Sequence, residues 1–493
     1  MRTRTSPGPG SAISTSRISM GAWNLVRTAA RISMRQTVTR RRDGEQAVAR
    51  EPVDTPAGRT YAHRKTKRAL GQIAREALMV RRGTMALTTA VALAITGCAA
   101  QQQAAGGQGG AAQGVTATSV KVGGVLTETS ASGYSTKDAE VGTRARFERA
   151  NAEGGVHGRT VEFLGAEDDG QDAAKGDAAA KKLVQKEQVF ALVPVHAPNF
   201  GGAAFLEREG VPWFGWATGP QWCGTRTGFG YNGCLAPEQG AGSQTWWGRQ
   251  MADLLGGSEG KSVYVQTSDS SGSKYGGTTI SQSFTAAGFE LAGVNSGLPA
   301  AAPPPDWLPY VDKIMTSDGG EPPDVVVSVI AGTKFNVGLY AALKRAGYRG
   351  VLTDATSYDA AILDDPASAQ ALEGVIAAPM FEPFESDAPE IAQLKRDVER
   401  VSPGAELTQH LAIGYWAADI FLDLLDKTGK YLSREKFLAT ANGSYAYENP
   451  GFGRIRYPRD HDEPNGCGAL VRLENGAFKV VKNLKCFDNV PLT

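Results

Sequence analysis

The sequence has few of the residues on which metal binding and catalysis depend. Its 493 residues include five histidines and five cysteines, and no two cysteines have the Cys-x-x-Cys spacing that zinc sites use. The His-Glu-x-x-His motif and the phosphate-binding loop are also missing. We therefore expect no metal ion and no cofactor.

The sequence also lacks long apolar runs, and its excess of basic over acidic residues is confined to the first hundred residues. No run of about 18 apolar residues occurs, so we expect no membrane-spanning helix. Residues 1–97 hold 18 Lys and Arg against 5 Asp and Glu, a net charge of +13, whereas residues 98–493 have a net charge of −12. An acidic body argues against a nucleic-acid partner.

The basic leader ends in a pattern typical of exported proteins. Arg81 and Arg82 precede an apolar run, Met85–Ile95, that is too short to span a bilayer. Residues 79–97 therefore read as a signal peptide. The following Ile-Thr-Gly-Cys resembles the bacterial lipobox, which would make Cys98 the lipid attachment site; a secretory signal with a chance cysteine is the alternative.

The segments on either side of the signal peptide are expected to lack a core. Residues 1–78 show no apolar periodicity, and we interpret them as a disordered, non-native extension caused by a start codon assigned too early. Residues 98–118 are rich in Gln, Gly and Ala and have few large apolar side chains. Such a segment predicts a flexible tether between an anchor and the body.

Four further cysteines form an even set in a chain expected to be exported, so we predict two disulfides. Three pairings are possible. Local chemistry favours Cys223 with Cys234 across a Gly-rich loop, and Cys467 with Cys486 on a hairpin whose turn is Asn475-Gly476.

After the tether, short β-branched runs alternate with helical stretches, beginning with a strand at Val120–Leu126 and a helix at Asp138–Asn151. The rhythm restarts with a helix at Gln244–Leu255 and a strand at Ser262–Gln266. Strands that alternate with helices predict parallel sheets covered on both faces. The fold class is therefore α/β, with two Rossmann-like, doubly wound lobes.

The ordered motifs of the body resemble those of one family. Residues 151–159 read NAEGGVHGR, residues 168–172 read DDGQD, and Gly210-Val211-Pro212 follows. This series resembles the type I periplasmic binding proteins of the leucine/isoleucine/valine-binding family. The resemblance implies two lobes joined by a hinge, which the chain crosses more than once. The implied segments are 119–240 and 382–447 for the first lobe, and 241–381 and 448–493 for the second, the last being a C-terminal hairpin.

The resemblance also implies which residues contact a ligand held between the lobes. In the first lobe these are an aromatic residue and the loops after the first, third and fourth strands; in the second they are residues after three strands. The implied ligand-binding positions are Thr129, Tyr134, His196, Ala197, Trp216, Ala217, Thr218, Tyr275, Phe335, Asp354, Thr356 and Tyr358.

Asp168, Asp169 and Asp172 invite a different interpretation as a metal or acid/base site. They lie just after a strand and before a helix, where carboxylates cap exposed backbone N–H groups. A metal site would need further converging ligands. We therefore expect capping and turn structure at these positions.

Two other functions remain as alternatives. Residues 256–260 match the G-x-S-x-G pattern of hydrolases, but the nucleophile elbow needs a strand before the serine and a helix after it, and here the predicted order is reversed. A lipoprotein that presents its solute to a membrane sensor is the second alternative. The leading expectation is a monomeric, lipid-anchored, extracytoplasmic solute-binding protein that delivers a small molecule to the membrane subunits of an ABC importer.

Overall fold

A computed structural model describes residues 112–493 of the chain. The predicted extension, the signal peptide, Cys98 and the tether up to residue 111 lie outside the described residues. The rest of the chain forms two α/β lobes, as the alternation of strands and helices predicted.

The first lobe is built on a five-stranded sheet in which every neighbouring pair is parallel. Its strand order is β2–β1–β3–β4–β5. The two strands at its centre are almost wholly buried, as expected for strands covered by helices on both faces. The strands are β1 Ser119–Leu126, β2 Thr160–Asp168, β3 Ala191–His196, β4 Trp213–Gly215 and β5 Gly228–Gly230.

Six helices belong to this lobe, three from its first segment and three from a later return of the chain. They are α1 Asp138–Ala152, α2 Ala173–Lys181, α3 Ala203–Arg208, α9 Pro389–Val401, α10 Gln409–Thr428 and α11 Arg434–Ser444. A π-helical turn, Lys182–Lys186, directly follows α2. Helices α9 and α11 were not predicted from the sequence.

The second lobe is built on a seven-stranded sheet with the order β15–β14–β11–β10–β9–β7–β8. Strands β7 to β11 are parallel to their neighbours, and the C-terminal hairpin adds β14 and β15 in antiparallel orientation. The strands are β7 Ser262–Ser268, β8 Glu290–Leu298, β9 Val325–Val329, β10 Val351–Asp354, β11 Ile376–Ala377, β14 Cys467–Glu474 and β15 Ala477–Cys486.

The remaining elements surround this sheet or connect the lobes. The second-lobe helices are α4 Trp246–Leu254, α5 Ser271–Thr285, α6 Leu308–Met315, α7 Thr333–Arg345 and α8 Pro366–Leu372. Two small sheets pair β12 Tyr445–Asn449 with β13 Gly453–Tyr457, and β6 Gly242–Ser243 with β16 Val490–Pro491. Short 3-10 helices span Pro220–Trp222, Ala360–Asp364 and Arg459–His461.

Helices α1 and α10 of the first lobe approach each other through glycine. A Cβ atom added at Gly142 would lie 1.9 Å from the carbonyl oxygen of Leu411, and one added at Gly414 would lie 2.0 Å from that of Ala139. In both cases the atom that the added Cβ would meet belongs to the backbone, so no change of side-chain rotamer can relieve the overlap. The two helices therefore pack closely only because neither position has a side chain.

Both disulfides join the pairs that local chemistry favours. Cys223 is bonded to Cys234, and Cys467 is bonded to Cys486. The second bond links residues that face each other in the register of β14 and β15. Strand β16 then pairs with β6, and the backbone N–H of Thr493 donates to Oε1 of Gln282 on α5.

Within residues 112–493, no helix combines the length and the apolar character that crossing a bilayer requires.

Candidate functional site

A cavity of about 130 Å³ lies where the carboxyl ends of strands from both sheets meet. In open α/β sheets this end of the strands is the usual ligand position. First-lobe residues on its wall are Tyr134, Pro198, Asn199, Trp216, Thr218 and Leu235. Second-lobe residues on its wall are Gln244, Trp247, Ser270, Gly272, Ser273, Gly276, Thr279, Ile280, Val329, Ile330, Ala331, Ala355, Thr356 and Met380.

Caps and turns fix the second-lobe wall. The Ser270 side chain accepts a hydrogen bond from the N–H of Ser273 and so starts α5 directly after β7. After β10, the buried carboxylate of Asp354 accepts from the N–H groups of Thr356 and Ser357 and from the Ser357 hydroxyl. Burial raises the pKa of Asp354 despite these hydrogen bonds. Asp354 therefore shapes the loop that presents Thr356.

The two lobes come close together at the edges of the cavity. A Cβ atom at Gly272, in the first turn of α5, would lie 3.6 Å from the carbonyl oxygen of Thr218. At another edge, a Cβ atom at Gly133 would lie 2.8 Å from Nζ of Lys334, in the first turn of α7. The structure therefore has the lobes in contact around a narrow gap.

A pair of buried histidines supports the first-lobe wall from behind. His196 Nε2 and His410 Nδ1 are 2.8 Å apart. Tyr134 meets the His410 ring edge-on, and Trp216 meets the His196 ring in the same way, each with ring centroids 5.4 Å apart. Because both aromatic residues line the cavity, the histidine pair sets the position of its first-lobe wall.

The buried histidine pair predicts that stability decreases in mild acid. Burial lowers the pKa of His410 from 6.5 to about 4, and burial together with His410 lowers that of His196 well below 6.5. Below pH 6.5 the unfolded chain therefore binds protons that the folded protein does not. For each histidine we expect the free energy of unfolding to fall by about 2 kcal/mol between pH 7 and pH 5.

Urea unfolding of the wild type and of His410→Gln at the two pH values checks this expectation. The variant should lose less stability on acidification, because one of the two buried imidazoles is gone. His157→Gln, at an exposed position, is the control and should behave as the wild type does. If His410→Gln and the wild type lost the same free energy of unfolding between pH 7 and pH 5, the loss could not come from protonation of His410.

Four of the twelve implied ligand positions lie on the cavity wall, namely Tyr134, Trp216, Thr218 and Thr356. Tyr275 instead lines an outer cavity of about 1030 Å³ and is 46% exposed. Helix α5 begins at Ser271 because Ser270 caps it. Tyr275 is thus one turn into the helix, and Thr279, one turn further on, lines both cavities.

The structure places the other implied positions off the wall of the inner cavity. His196, Ala197 and Ala217 are buried in the first lobe. Phe335 packs with Leu298 and Ile330 in a small core cluster. The Tyr358 ring stacks on Phe381 and Phe384, and its hydroxyl donates to Glu385. Asp354 shapes its loop as described above.

Thr129 and the aspartates that follow β2 hold a first-lobe loop in place. The Thr129 hydroxyl donates to Asp168 at 2.5 Å, and Asp168 also accepts from the N–H of Gly170. Asp169 accepts from the N–H of Gln171, and Asp172 caps α2 by accepting from the N–H groups of Ala174 and Lys175. The predicted capping role is confirmed.

The G-x-S-x-G segment has the wrong geometry for a nucleophile elbow. It follows helix α4 and precedes strand β7, the reverse of the order that the elbow requires. The Ser258 hydroxyl donates to the carbonyl oxygen of Ala287. This serine is part of a turn between two elements.

Several residues of the cavity wall were not predicted from the sequence. Ser270, Gly272 and Ala331 directly follow β7 and β9, so the strand-end rule could have identified them. Gln244 and Trp247 lie at the start of α4, which no strand-end rule marks. They reach the site only through tertiary packing.

One family of known proteins matches most of the chain. The sequence model of the family described as periplasmic binding protein matches residues 119–477. The sequence matches no curated protein.

Solved structures with similar folds include three binding proteins. A fatty acid ABC transporter substrate-binding protein from Thermomonospora curvata is 16% identical with a TM-score of 0.60, over 78% of this chain and 97% of that chain. An R. palustris ABC transporter solute-binding protein in complex with 4-hydroxybenzoate is 20% identical with a TM-score of 0.59, over 76% and 98%. A leucine-binding protein from Thermotoga maritima is 18% identical with a TM-score of 0.58, over 74% and 99%.

Proposed function

The chain belongs to the periplasmic binding protein family, and from this premise we propose that it captures a small polar solute by closing its two lobes around it. It is a solute-binding protein of an ABC transporter and not an enzyme. The observation on which the proposal depends is the cavity between the lobes, with a wall formed from both. The candidate classes of solute for the family are amino-acid-like molecules, amides and aromatic acids.

Lobe closure explains how binding is signalled to a transporter. A ligand shifts an open form toward a closed one only by its greater affinity for the closed form. Contacts made to both lobes at once supply that difference, because separated lobes cannot make them together. Thr218 of the first lobe and Gly272 of the second both line the cavity, so a solute in the cavity would contact both lobes. The closed shape is then what the membrane subunits recognise.

We further propose that the protein is monomeric and held at the extracytoplasmic face of the membrane by lipid on Cys98. The support is the apolar run before Ile-Thr-Gly-Cys in the sequence. The acyl chains would contribute about 0.8 kcal/mol for each buried CH₂ group. Mass spectrometry of the membrane-bound protein should find acyl groups on Cys98, and Cys98→Ser should release the protein from membranes.

A thermal-shift screen tests the binding function directly. Full-length protein is heated with amino acids, amides, ureas, aromatic acids and aliphatic acids, one at a time. A true solute stabilises the folded state by RT ln(1 + [L]/Kd), so its effect on the melting temperature should grow with concentration. Failure of every class to shift the melting temperature, or turnover of any of them, would overturn the proposal.

A further inference from the structure

The cavity wall is free of charge. None of its twenty residues, all of them within the part of the chain that the structure describes, is Asp, Glu, Lys, Arg or His. A buried ammonium group without a carboxylate partner loses its hydration with little compensation. A zwitterionic amino acid would have no acidic partner here.

The unused polar groups of the wall are donors. Tyr134 and Trp216 are 6% and 7% exposed. The indole N–H of Trp216 has no acceptor among residues 112–493, and the Tyr134 hydroxyl likewise has no partner in this range. Burial raises the pKa of Tyr134, which keeps the phenol protonated. The amide oxygen of Gln244 accepts from Trp246, which leaves its NH₂ group available.

Other hydroxyl groups on the wall already donate within the protein. Ser273 donates to the carbonyl oxygen of Val329, Thr279 to that of Gly276, and Thr356 to that of Ile330. The oxygen atoms of these hydroxyl groups can still accept hydrogen bonds, but their protons are already donated within the protein. The donors that remain therefore lie mainly on the first-lobe side and at Gln244.

The second lobe adds the amino end of a 15-residue helix. Helix α5 begins at the cavity, and its cap satisfies only the N–H of Ser273. The N–H groups of Ser271 and Gly272 have no partner within residues 112–493. The amino end of a helix carries partial positive charge and favours an anion. Thr218 lies directly across the gap from Gly272.

From these observations we propose that the solute is an apolar carboxylate without an ammonium group. This proposal rests on the proposed function and narrows it. The carboxylate lies in the cavity beside the first turn of α5, where it accepts from the backbone N–H groups of Ser271 and Gly272 and from the Thr218 hydroxyl. The apolar part of the solute packs against Trp216, Trp247 and the aliphatic side chains of the wall. The Tyr134 hydroxyl donates to an oxygen of the bound solute.

Matched pairs of solutes test the proposal by calorimetry on the full chain. The pairs are 3-methylbutanoate with valine and 3-phenylpropanoate with phenylalanine, which differ only in the ammonium group. We expect the carboxylate of at least one pair to bind at least about 100-fold more tightly than its amino acid, because only the amino acid buries an unpaired ammonium. The neutral 3-phenylpropanamide should bind more weakly than 3-phenylpropanoate.

Two conservative variants test the donors. Tyr134→Phe and Thr218→Val should each weaken carboxylate binding about 10-fold or more, as expected for a lost hydrogen bond to a charged group. Tyr431→Phe and Thr285→Val make the same chemical changes at exposed positions and should leave affinity unchanged. Thermal melts confirm that each variant is folded.

The outcomes separate this proposal from the function itself. Valine or phenylalanine binding as tightly as its carboxylate partner would overturn the proposal and leave the binding function intact. The same conclusion would follow if the amide matched the acid, or if both donor variants kept wild-type affinity. Absence of binding by every solute class would instead refute the function.

Discussion

Gly272→Leu is expected to reduce solute affinity by about 100-fold or more while the protein stays folded. Gly272 lies on the cavity wall, and the nearest atom to an added Cβ there is the carbonyl oxygen of Thr218 in the other lobe, at 3.6 Å. A leucine side chain would therefore extend into the gap that the solute occupies. It would also remove contacts that the solute makes to both lobes only in the closed form.

The folded state should tolerate this leucine. Leucine is a better helix former than glycine by about 0.8 kcal/mol, and no backbone atom lies closer than 3.6 Å to the new Cβ. Gly443→Leu is the matched control, since Gly443 lies on the exposed face of α11 and an added Cβ there meets nothing within 4 Å. Calorimetry with the best solute from the thermal-shift screen measures both variants. Unchanged affinity in Gly272→Leu would show that the solute binds elsewhere.

Gly142→Ala should destabilise the protein by about 2–3 kcal/mol, a large effect for one added methyl group. The new Cβ would lie 1.9 Å from the carbonyl oxygen of Leu411. Relief requires that α1 and α10 move apart, which would open gaps along a helix pair that forms much of the first-lobe core. Equilibrium unfolding in urea measures the loss as a lower midpoint at constant slope.

A helical glycine elsewhere provides the comparison for Gly142→Ala. Gly443→Ala introduces the same methyl group where there is open space, and it should stabilise the protein by about 0.5–1 kcal/mol because alanine is the better helix former. A loss of stability for Gly142→Ala together with a gain for Gly443→Ala would show that packing, and not helix propensity, determines the effect at Gly142. A Gly142→Ala protein as stable as wild type would mean that the helices do not approach this closely in solution.

The fold could be predicted largely because most strands are buried on both faces. Strands such as β3 and β9 appear as continuous apolar runs, so their positions were evident from the sequence. Strand β8 was missed because it lies at the edge of the sheet, where only Leu298 of its nine residues is buried. Helix α6 follows a Pro-rich loop, which obscured its start.

The site could be predicted only in part because local rules place loops but not side-chain directions. Thr218 and Thr356 lie after strands and on the cavity wall, and both were predicted from the family resemblance. Phe335 follows a strand too, yet its ring turns into the core. Trp247 reaches the cavity from α4 through packing between elements that are distant in sequence. Such contacts leave no local signal.

The pairing of β16 with β6 has a practical consequence for handling the protein. Leu492 and Thr493 line the outer cavity beside Tyr275. An affinity tag or fluorescent protein fused after Thr493 would therefore emerge at the rim of that cavity. A fusion at this end would crowd the outer cavity beside α5, so a cleavable linker should be removed before affinities are measured.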